Sequence, residues 1–196
     1  MWTIHPAQNP GWALCRSWKG AFTKEECESI QQHFQELEDA VVQVREADAF
    51  TSVKKDEFRR TRVGWLKWNQ SVDWIFQRLY TIVKSVNDQH YHFDLTGFLE
   101  PIQLSEYDVG GVYQWHMDAG AAALSIRKLS FVVMLTPPEE YDGGELELMP
   151  GIEPVFGDRA QGTMVCFPAY GVHRVLPVTR GRRRTLVGWV SGPPYR

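Results

Sequence analysis

The chain reads as an α+β protein in which helical segments precede a run of short strands that close into a sandwich or jelly roll. Two observations predict this. Before residue 90, apolar residues recur at helical spacing in two places. After it, short β-branched and aromatic runs alternate with turn dipeptides. A length of 196 residues with 43% apolar content suits one globular unit with a sizeable core. No linker divides it, so residues 1–98 are expected to support a core formed by 99–196.

The elements follow in order. Residues 1–22, rich in Pro and Trp, read as an irregular or extended lead-in. Thr23-Lys24-Glu25-Glu26 is a capping box. Cys27, Ile30, Phe34 and Leu37 follow at helical spacing, which predicts an amphipathic helix over 24–39. Val41 to Val44 and Arg62 to Trp68 read as strands flanking a charged loop, Lys54 to Arg60. Ser71 is placed to cap a second helix over 72–88, with Trp74, Ile75, Leu79, Ile82, Val83 and Val86 on its buried side. Seven β-like runs then fall at 100–107, 112–117, 128–135, 145–149, 163–167, 172–176 and 184–190. Glycine and proline pairs such as Gly110-Gly111, Pro137-Pro138 and Gly143-Gly144 break them.

Bulk properties narrow the function. A net charge of −3 argues against a general nucleic-acid footprint, although Arg180 to Arg184 form a local basic cluster. Cys15, Cys27 and Cys166 are odd in number and far apart, which suggests no disulfide framework and a reducing, cytoplasmic location. The N-terminus shows no signal-peptide pattern. No apolar run approaches the ~20 residues of a membrane span, so no membrane partner is expected.

The chemistry sits in four residues. His116-Met117-Asp118 is an H-x-D pair, and residues i and i+2 of a strand point to the same side. His173 follows a turn and begins an apolar run, the setting a strand-borne ligand needs. Two histidines and one carboxylate on one side of a metal form the ligand set of non-haem Fe(II) oxygenases. His5, His33, His90 and His92 lack such a setting, and the last two read as a helix-end feature. In the basic run, strand alternation puts Arg183, Thr185, Val187 and Trp189 on one face. A guanidinium, a hydroxyl and an indole on an inward face would make a carboxylate pocket. Arg182 and Arg184 would point outward, to solvent or an anionic partner.

With these residues in view, the chain resembles the 2-oxoglutarate/Fe(II)-dependent dioxygenases, in their prolyl-4-hydroxylase-like, PKHD-type branch. The matching segments are YDVGGVYQWHMD, RKLSFVVMLTPPEEYDGGELEL, GTMVCFPAYGVHRVLPVTRGRRRTLVGW and the terminal GPPYR, with RRTRVGWL earlier. The resemblance implies a double-stranded β-helix (jelly roll, cupin-like) core with flanking N-terminal helices. It implies that His116, Asp118 and His173 ligate Fe(II) and that Arg183, with Thr185 as hydroxyl helper, binds the distal carboxylate of 2-oxoglutarate. Tyr107 and Tyr113 match family tyrosines near that co-substrate, and Trp189 an aromatic at the pocket rim. Trp115, Arg127 and Trp189 are the candidates to face substrate, with Asp108, Tyr170 and Arg174 as further possibilities. Val132, Met134, Val165 and Phe167 could line the site or be ordinary core.

The implied reaction uses O2, with ascorbate as a possible reductant. It hydroxylates a C–H bond of a prolyl, peptidyl or amino-acid-like substrate and releases succinate and CO2. Two other readings share parts of the pattern. One is an alkylation-repair dioxygenase acting on nucleic acid, which would use the 180–184 arginines for phosphates. The other is a cupin-like metal-binding module without 2-oxoglutarate chemistry.

Overall fold

The structure, a computed structural model, describes residues 15–46 and 49–194, with the side chains of 42–51 outside the description. The lead-in up to residue 14 and the terminal Tyr195-Arg196 lie outside the described residues. Arg16–Trp18 forms a first strand, β1.

Helix α1 (Lys24–Gln31) starts as its capping box dictates. The Thr23 hydroxyl accepts from Glu26 N, and the Glu26 carboxylate accepts from Thr23 N at 2.9 Å. The helix stops well before residue 39. Tight turns follow, with His33 N and Phe34 N donating to the carbonyls three residues back. Phe34 and Leu37 still pack on the core, and Glu38–Asp39 then adds as an edge strand beside Val63 and Arg62. The apolar spacing reports burial, and turns satisfied it here as well as helix would.

Helix α2 (Asp73–Val86) buries Ile75, Leu79, Ile82, Val83 and Val86 as the spacing requires. Each such aliphatic side chain contributes roughly 1.5–3 kcal/mol on burial. Two details differ from expectation. Ser71 does not cap the helix, because its amide and hydroxyl are both held by Asn69 Oδ1, at 2.9 and 2.6 Å. Trp74 stays 36% exposed and meets Phe22 only edge-on. The helix runs on into a wider turn, Asn87–Tyr91, and ends at His92 in the left-handed region, φ 54°. His90 and His92 thus sit at a helix end.

The remaining strands are β2 (Arg62–Leu66), β3 (Ile102–Tyr107), β4 (Val112–His116), β5 (Arg127–Met134), β6 (Leu146–Leu148), β7 (Met164–Pro168), β8 (His173–Val175) and β9 (Arg183–Ser191). One sheet runs β1-β7-β5-β9-β3-β2 and ends on Glu38–Asp39. A second runs Val155–Phe156, β6, β8, β4 and Arg59–Arg60. Two antiparallel pairs complete the described strands: Val42–Glu46 with Ala49–Val53, and Tyr141–Gly143 with Val178–Gly181. The architecture is α+β with a jelly-roll core, as the alternation of strands and turns predicts.

The larger sheet is covered on both faces, so β3 and β5 are buried at every residue. Ile102, Leu104, Leu186 and Val190 point to the helices and join the main core with residues of α1 and α2. Val132, Met134, Leu146, Leu148, Val165 and Phe167 fill the space between the two sheets. Alternate positions of β3 and β9 are left to face one cavity. No helix among the described residues is long and apolar enough to cross a membrane.

Candidate active site

Strands β4 and β8 pair so that His116 and His173 stand directly opposite. Their ring centroids are 4.1 Å apart. Each Nδ1 lies on a carbonyl two residues back: His116 on Gln114 O at 2.7 Å, His173 on Gly171 O at 2.9 Å. With Nδ1–H donating there, each Nε2 presents a lone pair to the cavity. Asp118 follows the strand end, anchored by Asp118 N donating to Ala169 O. Its Oδ2 accepts from the Ser130 hydroxyl at 2.6 Å. The carboxylate oxygens lie 3.8 Å from His116 Nε2 and 3.6 Å from His173 Nε2. The three donor atoms are within 4.8 Å of one another, near enough to meet one cation.

Electrostatics suit the same purpose. Burial, then the neighbouring His173, drives His116 down to about 3, so its imidazole is neutral at physiological pH. Burial alone would raise the Asp118 carboxyl. His173, His116, the Ser130 hydroxyl and Arg127 together hold it below the usual range, so it is ionised. Two imidazoles and one carboxylate fit a divalent transition metal with positions left open.

A cavity of about 590 Å³ opens from these residues. Arg183, Thr185, Val187 and Trp189 all line it, as strand alternation predicts. Arg183 is 2% exposed and, among the described residues, has no carboxylate partner. Its Nε is buried without a hydrogen bond, and its Nη2 reaches only Met134 Sδ at 3.6 Å. Thr185 Oγ1, beside it on the same face, is also buried and unsatisfied. A desolvated guanidinium with an idle hydroxyl next to it is a site shaped for a carboxylate. Tyr107 lies under Arg183, which is 5.3 Å from the ring centroid. Tyr113 stacks on His116 at 3.5 Å, and burial pushes its phenol up to about 12. A wider groove of about 680 Å³ beside α2, floored by Phe76 and Phe98, holds none of these groups.

The structure sorts the other candidates. Arg127 and Trp189 reach the cavity wall, where the guanidinium lies 3.7 Å over the indole. Arg127 also pairs through two bonds with Glu100 and donates to Asp118 O at 3.3 Å. Trp115, expected to face substrate, does not line the cavity. The bulge between β4 and β8 puts Tyr113 and His116 on the cavity side, and Trp115 lies under Arg174, 4.4 Å away. Arg174 itself is held by Glu147. Asp108 is taken by Arg182 and Arg62. Tyr170 lies edge-on to Phe93. Val132 lines the cavity, while Met134, Val165 and Phe167 are core between the sheets. In the basic run, Arg180 pairs with Asp142, Arg182 with Asp108 and Arg184 with the buried Glu106. The outward arginines therefore meet the protein's own carboxylates. Sequence reasoning missed Arg59, Ser130 and Gly144. Only the lone D-G-G-E-L motif gave a signal, for Gly144.

Residues 102–191 match the family model of the 2OG-Fe(II) oxygenase superfamily. A PKHD-type hydroxylase of Hyphomonas neptunium is 44% identical over 90 residues, which cover 42% of this chain and 38% of that protein. The chain spans about two fifths of the length of such curated relatives. Among solved structures, a Pseudomonas putida prolyl-4-hydroxylase superposes with a TM-score of 0.70 at 19% identity, covering 92% of this chain and 93% of that one. A prolyl hydroxylase of Trichoplax adhaerens, in complex with a hypoxia inducible factor oxygen degradation domain peptide fragment, gives 0.66 at 15% identity, covering 91% and 83%. These structures share the fold. Residues 102–191, a little under half of the chain, are thus similar to the 2OG-Fe(II) oxygenase superfamily, and the likeness to these solved structures shows the fold.

Proposed function

We propose that the protein is an Fe(II)- and 2-oxoglutarate-dependent dioxygenase. It hydroxylates an unactivated C–H bond of a prolyl, peptidyl or amino-acid-like substrate and releases succinate and CO2. The observation that carries this reading is Arg183, a buried guanidinium with no carboxylate partner among the described residues, in the same cavity as His116, Asp118 and His173. A metal site alone would not require a second, desolvated cation. A dicarboxylate that spans from metal to guanidinium accounts for both.

In this reading His116 Nε2, His173 Nε2 and an Asp118 oxygen hold Fe(II), which when bound supplies the redox chemistry that O2 activation requires. The chain's own residues do the rest. Arg183 takes the distal carboxylate in charge-assisted bonds, and the Thr185 hydroxyl donates to the same group. Tyr107 walls the guanidinium in. Val132 and Val187 keep water from the reacting atoms. Positioning of this kind can remove several kcal/mol of barrier. Arg127 and Trp189, on the cavity wall, are placed to face substrate. Residues 1–98 support the catalytic core, 99–196, in one domain. Ascorbate would serve as reductant, and three free thiols, Cys15, Cys27 and Cys166, fit the reducing cytoplasm. The ion pairs of Arg180, Arg182 and Arg184 count against phosphate binding and so against nucleic acid.

An anaerobic absorption titration tests the reading. Fe(II) is added to metal-free protein, then 2-oxoglutarate. A visible charge-transfer band that needs both additions, followed by succinate formation in air, is expected. Folded, iron-loaded protein that never develops the band would return the site to a plain metal-binding module.

A further inference from the structure

Three arginines line the cavity. Arg127 has Glu100, and Arg183 is the cation assigned above to 2-oxoglutarate. The third, Arg59, has no role in that reading. It lies in the short Arg59–Arg60 strand, paired with β4 so that Arg59 stands opposite Tyr113. Its guanidinium sits 4.4 Å from the Tyr113 ring centroid, and Tyr113 in turn stacks on His116. One aromatic ring therefore separates this cation from a metal-ligating imidazole.

Arg59 has no carboxylate partner among the described residues. Its Nη2 donates to Gln103 Oε1 at 3.3 Å, and Gln103 Nε2 donates onward to Ser105 Oγ at 2.6 Å. Its Nε is buried and has no acceptor. The neighbour that could neutralise it is an amide; a glutamate at 103, of the same shape, would quench the charge from within. Of the acidic residues at the same cavity, Asp39 is held by Lys54 at 2.6 Å, Asp118 belongs to the triad, and Glu38, exposed on its edge strand, makes no ion pair with Arg59. The site thus maintains a second cation with donors to spare, set against Tyr113 where Arg183 is set against Tyr107.

A dicarboxylate co-substrate has one carboxylate for the metal and one for Arg183. None remains for Arg59. We propose that Arg59 is a second carboxylate anchor and that the molecule oxidised carries a carboxylate, either the α-carboxylate of a free amino acid or the side chain of an acidic residue beside the oxidised one in a peptide. The inference rests on the 2-oxoglutarate reading above and adds the charge of the substrate to it.

Matched acid and amide pairs test it on the full chain loaded anaerobically with Fe(II) and 2-oxoglutarate, read by perturbation of the charge-transfer band. The pairs are L-proline with L-prolinamide, and Ac-Pro-Glu-NH2 with Ac-Pro-Gln-NH2. At least one acid is expected to bind about tenfold or more tightly than its amide. Arg59→Gln should erase that contrast by weakening the acid alone, and Arg59→Lys should restore part of it. A merely structural Arg59 would weaken acid and amide together. Preference in the first pair identifies a free amino acid, in the second an acidic peptide. If no acid outbinds its amide, or the contrast survives in Arg59→Gln, the proposal is wrong while the co-substrate reading stands. If wild-type protein never forms the band, both fall.

Discussion

Gly144 lies so close to Arg183 that a Cβ added to it would stand 2.9 Å from Arg183 Cδ. The same atom would stand 2.9 Å from Val178 Cγ2, and the residue holds φ at +67°. Both the backbone and the space exclude a side chain. The second glycine of Asp142-Gly143-Gly144 is therefore part of the Arg183 seat. Gly144→Ala is expected to cost about 1–3 kcal/mol of stability. It should also weaken 2-oxoglutarate binding, because Arg183 must shift to clear the methyl group. Urea unfolding and the anaerobic titration together check this.

Arg183→Met separates stability from binding. A buried cation without a counter-charge destabilises the empty protein, and an apolar chain of similar length relieves that. The metal-free variant should melt higher than wild type, by about 2–4 °C for each kcal/mol gained. Its affinity for 2-oxoglutarate should fall about thirtyfold or more, in line with loss of one partner of a desolvated charge pair. A lower melting point would mean that Arg183 has a partner in solution.

Ser130 donates to Asp118 Oδ2 and so holds the orientation of a carboxylate whose Oδ1 lies nearest His116 and whose Oδ2 lies nearest His173. Ser130→Ala removes one hydroxyl and leaves the strand intact. Metal affinity should drop about 10–100-fold, as for other groups that orient a ligand. Competition with a chromogenic chelator measures it, and circular dichroism should be unchanged.

Glu26 links the α1 cap to α2. Its carboxylate accepts from Thr23 N and from Arg78, 3.1 Å away. The Thr23 amide first, against some burial, and Arg78 after it hold the carboxyl below its ordinary range. A carboxyl depressed on folding stabilises the native state above its unfolded value, about 4.3, and loses that contribution as pH falls through the folded one. The stability gap between wild type and Glu26→Gln should be full at neutral pH and close as the pH drops below about 4. A gap independent of pH would show that only the shape of the side chain matters.

The candidate triad and the arginine were legible because their chemistry is local. H-x-D reads as two side chains on one side of a strand, and Arg183 to Trp189 read by parity as one face. Parity worked because β9 is regular through that stretch. It is interrupted in β4, which is irregular against β8, so that Tyr113 and His116, three residues apart, both line the cavity, while Trp115, next to His116, does not. The overlong first helix has a related cause. Phe34 and Leu37 are apolar for the core they reach, and periodicity does not distinguish a helix from a chain of turns that buries the same side chains.

The sequence by itself determined the class of fold, the α1 cap, the buried stripe of α2, and the candidate ligand types with their order. Each depends on residues close together in the chain. Only the tertiary structure decided that His116 meets His173 across a strand pair and that Ser130, from β5, holds Asp118. It also decided which arginines keep their charge. Arg182 and Arg184 are neutralised by Asp108 and Glu106, while Arg59 and Arg183 enter the cavity with no carboxylate partner among the described residues. The physical reason is that a charge is defined by what surrounds it. Those surroundings come from strands tens of residues apart, which meet only when the two sheets close on one another.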